Sequence, residues 1–416
     1  MNATMNIPAG WKKSELGDLL GERKKKVTPT AGDDRAYVAL EHMATDAVAL
    51  LGHDRAGSAT SAKTIFNEGD LLFGKLRPNL RKCVMAPFDG VCSTDILALH
   101  AKNGAVPSFL LSLLHSARVM GFAKRTAIGT KMPRTSWEQL SQCAVLVPPK
   151  PEQIWIAEML DSVDAAIDAT RGVIEQARRL KTAVLQDLLT RGLPGRHSEF
   201  REVKGLGQVP RAWKVTPLAK LIDADRPICY GILMPGRGHP GGVPVVKVKD
   251  LADGRIKLDD ILLTTPALDE EYKRSRLRQG DILVSIRGTT GRIASVPAEL
   301  HDGNITQDTA RLSMSDECVR DFVFYCLQTR EHQAYIQHHT IGQAVKGINI
   351  GEVRKIPIPL PGADERQPIV QMLRALDRRI ESEQATLAQQ TKEKTALSQA
   401  LLTGRVRVPA AKGVVA

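Results

Sequence analysis

The sequence predicts a mixed α/β (α+β) domain duplicated in tandem, each copy followed by a long helix, with the two helices pairing as an antiparallel coiled coil. Three observations predict it. Glu152–Leu189 and Glu365–Leu402 align without a gap at a constant offset of 213, pairing Asp164 with Asp377, Ile167 with Ile380 and Leu188-Leu189-Thr190 with Leu401-Leu402-Thr403. Upstream the repetition is weaker but ordered. Ile7-Pro8-Ala9-Gly10-Trp11 resembles Val209-Pro210-Arg211-Ala212-Trp213 at an offset of 202, and Gly69-Asp70-Leu71-Leu72 resembles Gly280-Asp281-Ile282-Leu283 at 211. Gly90, Asp95 and Ile128-Gly129 then match Gly303, Asp308 and Ile341-Gly342 at 213. A period of about half the chain is far longer than a solenoid repeat and marks a duplicated domain. The third observation is a 3.5-residue apolar seam in both helices, taken up below.

The first variable region spans 1–150. Val38-Ala39-Leu40, Leu71-Leu72-Phe73, Ile96–Leu99 and Ala144–Val147 are short apolar runs bounded by Gly, Pro or Asp, which favours strands. Ser108–Phe122 has helical periodicity, with Leu110, Leu111, Leu114 and Met120 on one face. Pro148-Pro149-Lys150-Pro151 closes the region, because proline cannot continue a strand ladder and is tolerated just ahead of a helix.

The first spacer helix is expected within 151–193, ending at Arg191-Gly192-Leu193-Pro194-Gly195. Ile156, Leu160, Val163, Ile167, Ile174, Ala177, Val184 and Leu188 fall on its seam, with Thr170 and Lys181 in the gaps. Such a stripe is an a/d seam. Residues 192–208 read as a connector to the second region, 194–358. There Val245–Val248, Ile282-Leu283-Val284 and Ile356-Pro357-Ile358 read as strands, and Asp321–His332 as a helix. Pro357, Pro359 and Pro361 close that region. The second spacer, 359–405, places Ile369, Leu373, Leu376, Ile380, Leu387, Gln390, Leu397 and Leu401 on the same frame, with Glu383 and Lys394 in its gaps. The polar residues set register, sit where the seam is wet, or lie under another protein's helices packing over the same region. Each stripe needs a partner, and its own copy is the simplest; the alternative is a helix packing on its own domain. Antiparallel pairing suits two domains that join from opposite ends, while the charges fit either direction. The tail 406–416 is expected to be disordered from residue 409.

Charge adds a direction. The chain carries +12, yet Glu152–Arg191 has seven acids and five bases and Glu365–Arg405 five acids and seven bases, so the helices cancel. The excess lies in the variable regions, linker and tail, as expected if those face a polyanion. Six cysteines (Cys83, Cys92, Cys143, Cys229, Cys318, Cys326) form no CxxC or Cys/His zinc spacing, which points to buried thiols in a reducing compartment. Met1–Gly10 lacks a signal-peptide core, and no run approaches the ~20 apolar residues of a membrane span. A soluble, cytoplasmic protein without membrane contact is expected.

Catalytic signatures fail one after another. Gly236-Arg237-Gly238-His239-Pro240-Gly241 has the letters of a dinucleotide loop, but proline interrupts the helix start that such a loop requires. There is no Walker A sequence. Val147-Pro148-Pro149-Lys150 lacks the flanking residues of an amino-methyltransferase motif, Glu202-Val203-Lys204 lacks a nuclease aspartate, and ten histidines show no ligand spacing. No catalytic residue, no metal site and no cofactor in this chain is expected. What remains are basic, glycine-containing loops. In the first region these are Phe73–Lys82, with Lys75, Arg77, Asn79, Arg81 and Lys82, and Thr126–Arg134, with Lys131 and Arg134. The aligned places in the second hold Arg287, Thr289, Thr290 and Arg292, and then Gln343, Lys346 and Asn349 in the loop 342–349. Arg and Lys contact phosphate or guanine, and Asn or Gln can read adenine. Any one such loop alone reads as an ordinary solvated loop; recurrence at matched positions with changed side chains favours DNA.

Ile7-Pro8-x-x-Trp11, the Gly69–Leu72 run, the Gly90–Asp95 segment and the helix ending Leu188-Leu189-Thr190-Arg191-Gly192, all present twice, resemble the specificity (S) subunit of Type I restriction-modification enzymes over almost the whole chain. The resemblance implies two target recognition domains, each reading one half of a bipartite, asymmetric double-stranded DNA site. It implies that the spacer/partner helices, with Leu160, Val163, Ile167, Ile174, Val184, Leu188, Leu373, Leu376, Ile380, Leu387, Leu397 and Leu401, form an antiparallel coiled coil that sets the gap and docks two methyltransferase (M) subunits. S-adenosylmethionine chemistry would belong to those partners, and ATP- and Mg-dependent translocation and cleavage to restriction/translocase (R) subunits. Geometry agrees: a 38-residue helix spans ~57 Å, against roughly 34–36 Å for one turn of B-DNA. The Gly288–Gly291 loop departs from the Gly74–Arg81 loop, so base contacts cannot be carried over letter by letter. Two other readings stay open: a related system whose single partner both methylates and cuts, and a coiled-coil scaffold with no DNA role.

Overall fold

The computed structural model describes residues 7–343 and 346–407. Ala344 and Val345 of the second basic loop, and the tail from 408 onward, lie outside the described residues. The chain divides into two compact units, 1–173 with 383–416 and 174–382. Each unit therefore takes one of the repeated domains, part of the helix Lys150–Arg191 and part of the helix Ala363–Leu402.

Both units are built on the same antiparallel sheet. In the first, Leu20–Glu22, Ile96–Ala101, Leu71–Gly74 and Cys83–Met85 pair in that order; in the second the order is Cys229–Tyr230, Thr309–Leu312, Ile282–Ser285 and Ile293–Ser295. The repeated Gly-Asp-Leu/Ile-Leu run opens the central strand each time. Gly69 and Gly280 turn with φ of 82° and 86°. The buried aspartates that follow accept the Asn67 and Arg278 amides, both at 2.8 Å. Arg23 answers Asp70 and Arg226 answers Asp281, so neither carboxylate is buried without a counter-charge. A second sheet holds a parallel pair in both units, Ala36–Val38 with Gly90–Cys92 and Val243–Val246 with Asn304–Ile305. It has five strands in the first unit and three in the second. The domains thus share a frame and differ at its margin, a mixed α/β fold in tandem.

Several boundaries differ from expectation. The helix predicted over Ser108–Phe122 is two, Pro107–Leu114 and Ala117–Thr126, and the one over Asp321–His332 is likewise two, Glu317–Cys326 and Arg330–His338. The break comes from a cap. Ser116 and Thr329, equivalent at the 213 offset, accept the amides of Val119 and His332 and start a new helix inside an unbroken apolar pattern. The connector 192–208 is not featureless: Phe200–Val203 and Gly207–Pro210 form a hairpin. Pro357 and Pro359 lie within a strand, Pro357–Leu360, not at a boundary. It pairs only with Lys214–Pro217, so both prolines can turn their missing N–H to an unpaired edge. Val38 ends its strand and Leu40–His42 is a 3-10 turn; Val248 similarly starts a turn.

The apolar seam is buried at some positions and half-buried at others. Ile156, Leu160, Ile167, Ile174, Leu188, Ile369, Leu373, Ile380 and Leu401 are buried, and Val163, Ala177, Val184, Leu376, Leu387 and Leu397 half-buried. Within the first unit Ile156, Ala157 and Leu160 share a core with Leu401 and Leu402; within the second, Leu185, Leu188 and Leu189 share one with Ile369, Val370 and Leu373. Early residues of one helix thus share a core with late residues of the other. The same cores contain Trp11, Phe109 and Leu110, or Trp213 and Phe322, so the helix ends also pack on their own domains.

Lys181 and Lys394 prove to be paired, not left in a wet gap. Lys181 meets Asp377 at 2.6 Å in the second unit, and Lys394 meets Asp164 in the first. Both lysines and both aspartates are repeat equivalents, so one ion pair occurs twice. A clamp at the helix starts is also doubled: the indole N–H of Trp11 donates to Glu152 at 2.9 Å, and that of Trp213 to Glu365 at 2.9 Å. This explains why the Pro-x-x-Trp motif and the leading glutamate recur together.

Candidate nucleic-acid interface

In each unit the structure joins the two basic loops that the sequence singled out. Lys75 follows the central strand Leu71–Gly74, and its amide donates to Asp95 O at 2.8 Å. The Arg77 amide donates to Pro133 O at 2.7 Å and the Thr135 amide to Lys75 O at 3.1 Å, tying the first loop to the second. The second unit repeats all three bonds at equivalent atoms. Ile286 donates to Asp308 O at 2.8 Å, Gly288 to Lys346 O at 2.8 Å and Ile348 to Ile286 O at 2.9 Å. The repeated aspartate faces a guanidinium from a different loop each time: Asp95 takes Arg134 at 2.9 Å, whereas Asp308 lies 3.9 Å from Arg287. The hydrogen bond to Asp95 raises the Arg134 pKa, so that guanidinium stays charged.

The loop backbones are tightly specified. A single 3-10 turn, Pro78–Leu80, sits between Arg77 and Arg81, both left-handed with φ of 50°. Non-glycine residues enter this region at a cost of roughly 1–2 kcal/mol. Here the cross-loop bond of Arg77 and the contacts of Arg81 offset it. The Arg81 guanidinium donates to His115 O at 2.5 Å and pairs with Asp46 at 3.0 Å. His115 itself is buried with Nε2 2.8 Å from Cys83 O, and burial pushes its pKa down.

These contacts divide the candidates. Arg81, Lys82 (to Leu40 O, 2.7 Å) and Arg134 are occupied in holding the first interface together. Lys75, Arg77, Asn79 and Lys131 make no side-chain hydrogen bond or ion pair among the described residues; Arg77, Asn79 and Lys131 are exposed and Lys75 half-buried. In the second unit Arg292 binds Val248 O at 3.1 Å, buried Thr290 meets Thr340 at 3.1 Å, and Asn349 caps the helix Ile350–Lys355. Thr289, Gln343 and Lys346 are exposed and available, and Arg287 is held only by Gln307 at 3.3 Å and the distant Asp308. Composition could not separate these groups, because the partners of Arg81 and Arg292 are carbonyls remote in sequence.

Gly236–Gly241, set aside in the sequence as a failed dinucleotide motif, lies in the loop 231–242, which borders the candidate loops. It is brought beside Arg287 through Gln307, whose amide donates to Ile232 O at 2.9 Å and whose side chain reaches Leu233 O at 3.4 Å. Arg237 and Met234 are exposed on it. No spacing signal marked it, since the contact is made across the fold. One cluster of possible metal ligands occurs among the described residues, Glu41, His42 and Asp54. The His42 Nδ1 already accepts the Ala39 amide at 3.0 Å, which places the ring proton on Nε2, facing Asp54. A protonated Nε2 has no lone pair to offer and disfavours a metal. Among the described residues no helix is long and apolar enough to cross a membrane.

Comparison with known proteins points one way. Residues 8–179 and 238–392 match the family described as the Type I restriction modification DNA specificity domain. The chain is 30% identical to the Escherichia coli Type I restriction enzyme EcoBI specificity subunit over 65% of its own length and 57% of that protein, less than two thirds of the relative. It is 22% identical to the Methanocaldococcus jannaschii Type I restriction enzyme MjaVIII specificity subunit over 97% of this chain and 95% of that one. Among solved structures, a chain from work on assembly and conformational transition of the type I R-M system superposes with a TM-score of 0.56 at 20% identity, covering 96% and 99% of the two chains. The Type I system S subunit from M. genitalium gives 0.55 at 14% identity, covering 97% and 98%. At such identities the structural likeness speaks for the fold.

Proposed function

The chain belongs to the Type I restriction-modification DNA specificity family, and from that premise we propose that it reads a bipartite, asymmetric site in double-stranded DNA, one half per domain. The observation that carries the reading is the loop junction. Three backbone bonds recur at equivalent atoms in both units, while the side chains they present differ: Arg77, Asn79 and Lys131 in one, Arg287, Thr289, Gln343 and Lys346 in the other. A constant frame with changed donors suits two readers of different sequences. Cations on the exposed rim would supply salt-dependent phosphate affinity and the amides and hydroxyls base contacts.

In this reading the long helices act as an antiparallel coiled-coil spacer that fixes the distance between half-sites and presents duplicated surfaces to two methyltransferase subunits. Methyl transfer from S-adenosylmethionine, and ATP- and Mg-dependent translocation and cleavage by restriction subunits, belong to those partners. The site of action is the cytoplasm, where the DNA is. The direct test is sequencing of methylated motifs in a host that carries this chain with its methyltransferase subunits. A split motif with unequal halves is expected. Methylation at an unbroken or palindromic motif, or none that depends on this chain, would refute the reading.

A further inference from the structure

We propose that Ile128 and Ile341 are the apolar base contacts of the DNA interface, one in each recognition domain; the inference rests on the DNA-reading function proposed above. Ile128 is 73% exposed and Ile341 74% exposed. Single exposed apolar residues are ordinary on protein surfaces. This pair is different, because the two are repeat equivalents at the 213 offset in loops whose other side chains have largely changed.

Their backbones are held alike. Ile128 and Arg134 exchange hydrogen bonds of 2.8 and 2.9 Å, and Arg134 is bridged in turn to Leu76 of the first basic loop. Ile341 pairs with Gly347, and Gly347 is bridged to Arg287. Each isoleucine is thus the outer rung of the same three-strand arrangement, in the loops that also carry the exposed cations. Gly129 and Gly342 follow with φ of 106° and 113°, where L side chains rarely go, so the chain turns away immediately behind the side chain. A fixed backbone carrying an unburied isoleucine is organised for a partner.

Charge selects the partner. Exposed Lys131 and Arg77 in the first unit, and Lys346 and Arg287 in the second, lie on the same laced loops, where Met132 is the other exposed large apolar side chain among the described residues. Protein interfaces bury an apolar core depleted of charge. Duplex DNA offers the complementary pattern, anionic rails flanking bases that accept apolar contact at a thymine methyl or between steps.

The test uses the full chain assembled with its methyltransferase subunits, on a duplex carrying its own methylated motif. Ile128→Ala should weaken binding about tenfold, within the range of a good base contact, and Ile341→Ala likewise. The salt slope should stay unchanged, whereas Lys131→Ala should lower it by about one. Ile128→Leu should restore most of the affinity. Thymine-to-uracil scanning reports a methyl contact, and 2-aminopurine brightening reports an opened step; either signal in the half-site of the substituted domain supports the proposal. Affinity within about twofold of the parent for both alanine variants overturns it, as does loss of methyltransferase from the complex, which would assign these tips to a protein contact. A parent complex that does not prefer its motif over a scrambled duplex would instead bring down the DNA-reading function itself.

Discussion

Glu365 shows how one buried residue ties a linker to a helix start. It is 2% exposed and accepts from the Trp213 indole, the Leu193 amide and the His197 ring at 2.9, 3.1 and 2.8 Å. Its repeat counterpart Glu152 takes Trp11 and Arg407 but is less enclosed. Glu365→Ala leaves the Leu193 amide without its side-chain acceptor and the Trp213 indole with only the His197 ring at 3.2 Å, and should cost about 2 kcal/mol in urea unfolding followed by tryptophan fluorescence. Glu152→Ala should cost roughly 1 kcal/mol by the same measure. His332 makes a pH prediction. Its buried ring lies 2.7 Å from Thr329 Oγ1 and 3.0 Å from Pro357 O, and burial lowers its pKa to about 4. The folded value is below the unfolded one, so the unfolded chain binds the proton first. Stability should be intact above about pH 6.5 and fall as pH drops toward 4, by about 3 kcal/mol in all. His332→Gln should flatten this pH dependence in thermal melts from pH 7 to 4.

At the scale of elements, the same ion pair joins the two long helices once in each unit. The Lys181 and Asp377 side chains are 17% and 26% exposed, and Asp377 also accepts the Tyr325 hydroxyl at 2.7 Å. A double-mutant cycle on Lys181→Met and Asp377→Asn should give a coupling of about 0.5–3 kcal/mol. A coupling near zero would mean that the apolar seam alone sets the register. Removing one heptad from both long helices should alter the unread spacer tolerated between half-sites, read out by methylome sequencing. The 3.5-residue period and the proline lead-in made the long helices legible in sequence. The short helix pairs were not legible as pairs, because a cap at Ser116 or Thr329 interrupts the backbone while leaving the apolar pattern intact.

On the scale of the whole chain, the repeat separates what is held constant from what is free. Exchanging residues 1–150 for the corresponding region of another family member should change one half of the methylated motif and leave the other intact. A change in both halves would contradict modular reading. The first unit carries five strands in its second sheet where the other carries three. The shared antiparallel sheet, with its buried aspartate answered by an arginine, is what the two units have in common.

The sequence by itself determined the duplication, the helix seam, the mixed strand-and-helix composition of each copy and the positions of the two basic loops. These are local or periodic signals, readable from spacing. Only the tertiary structure decided that Lys181 meets Asp377 and Lys394 meets Asp164, that the two loops of each copy are laced together, and that Arg81, Lys82, Arg134 and Arg292 are spent on the protein itself. It also brought the loop 231–242 beside Arg287. The physical reason is the same in each case. A cation is free or occupied according to the carbonyl or carboxylate that folding brings to it, and those partners lie tens or hundreds of residues away.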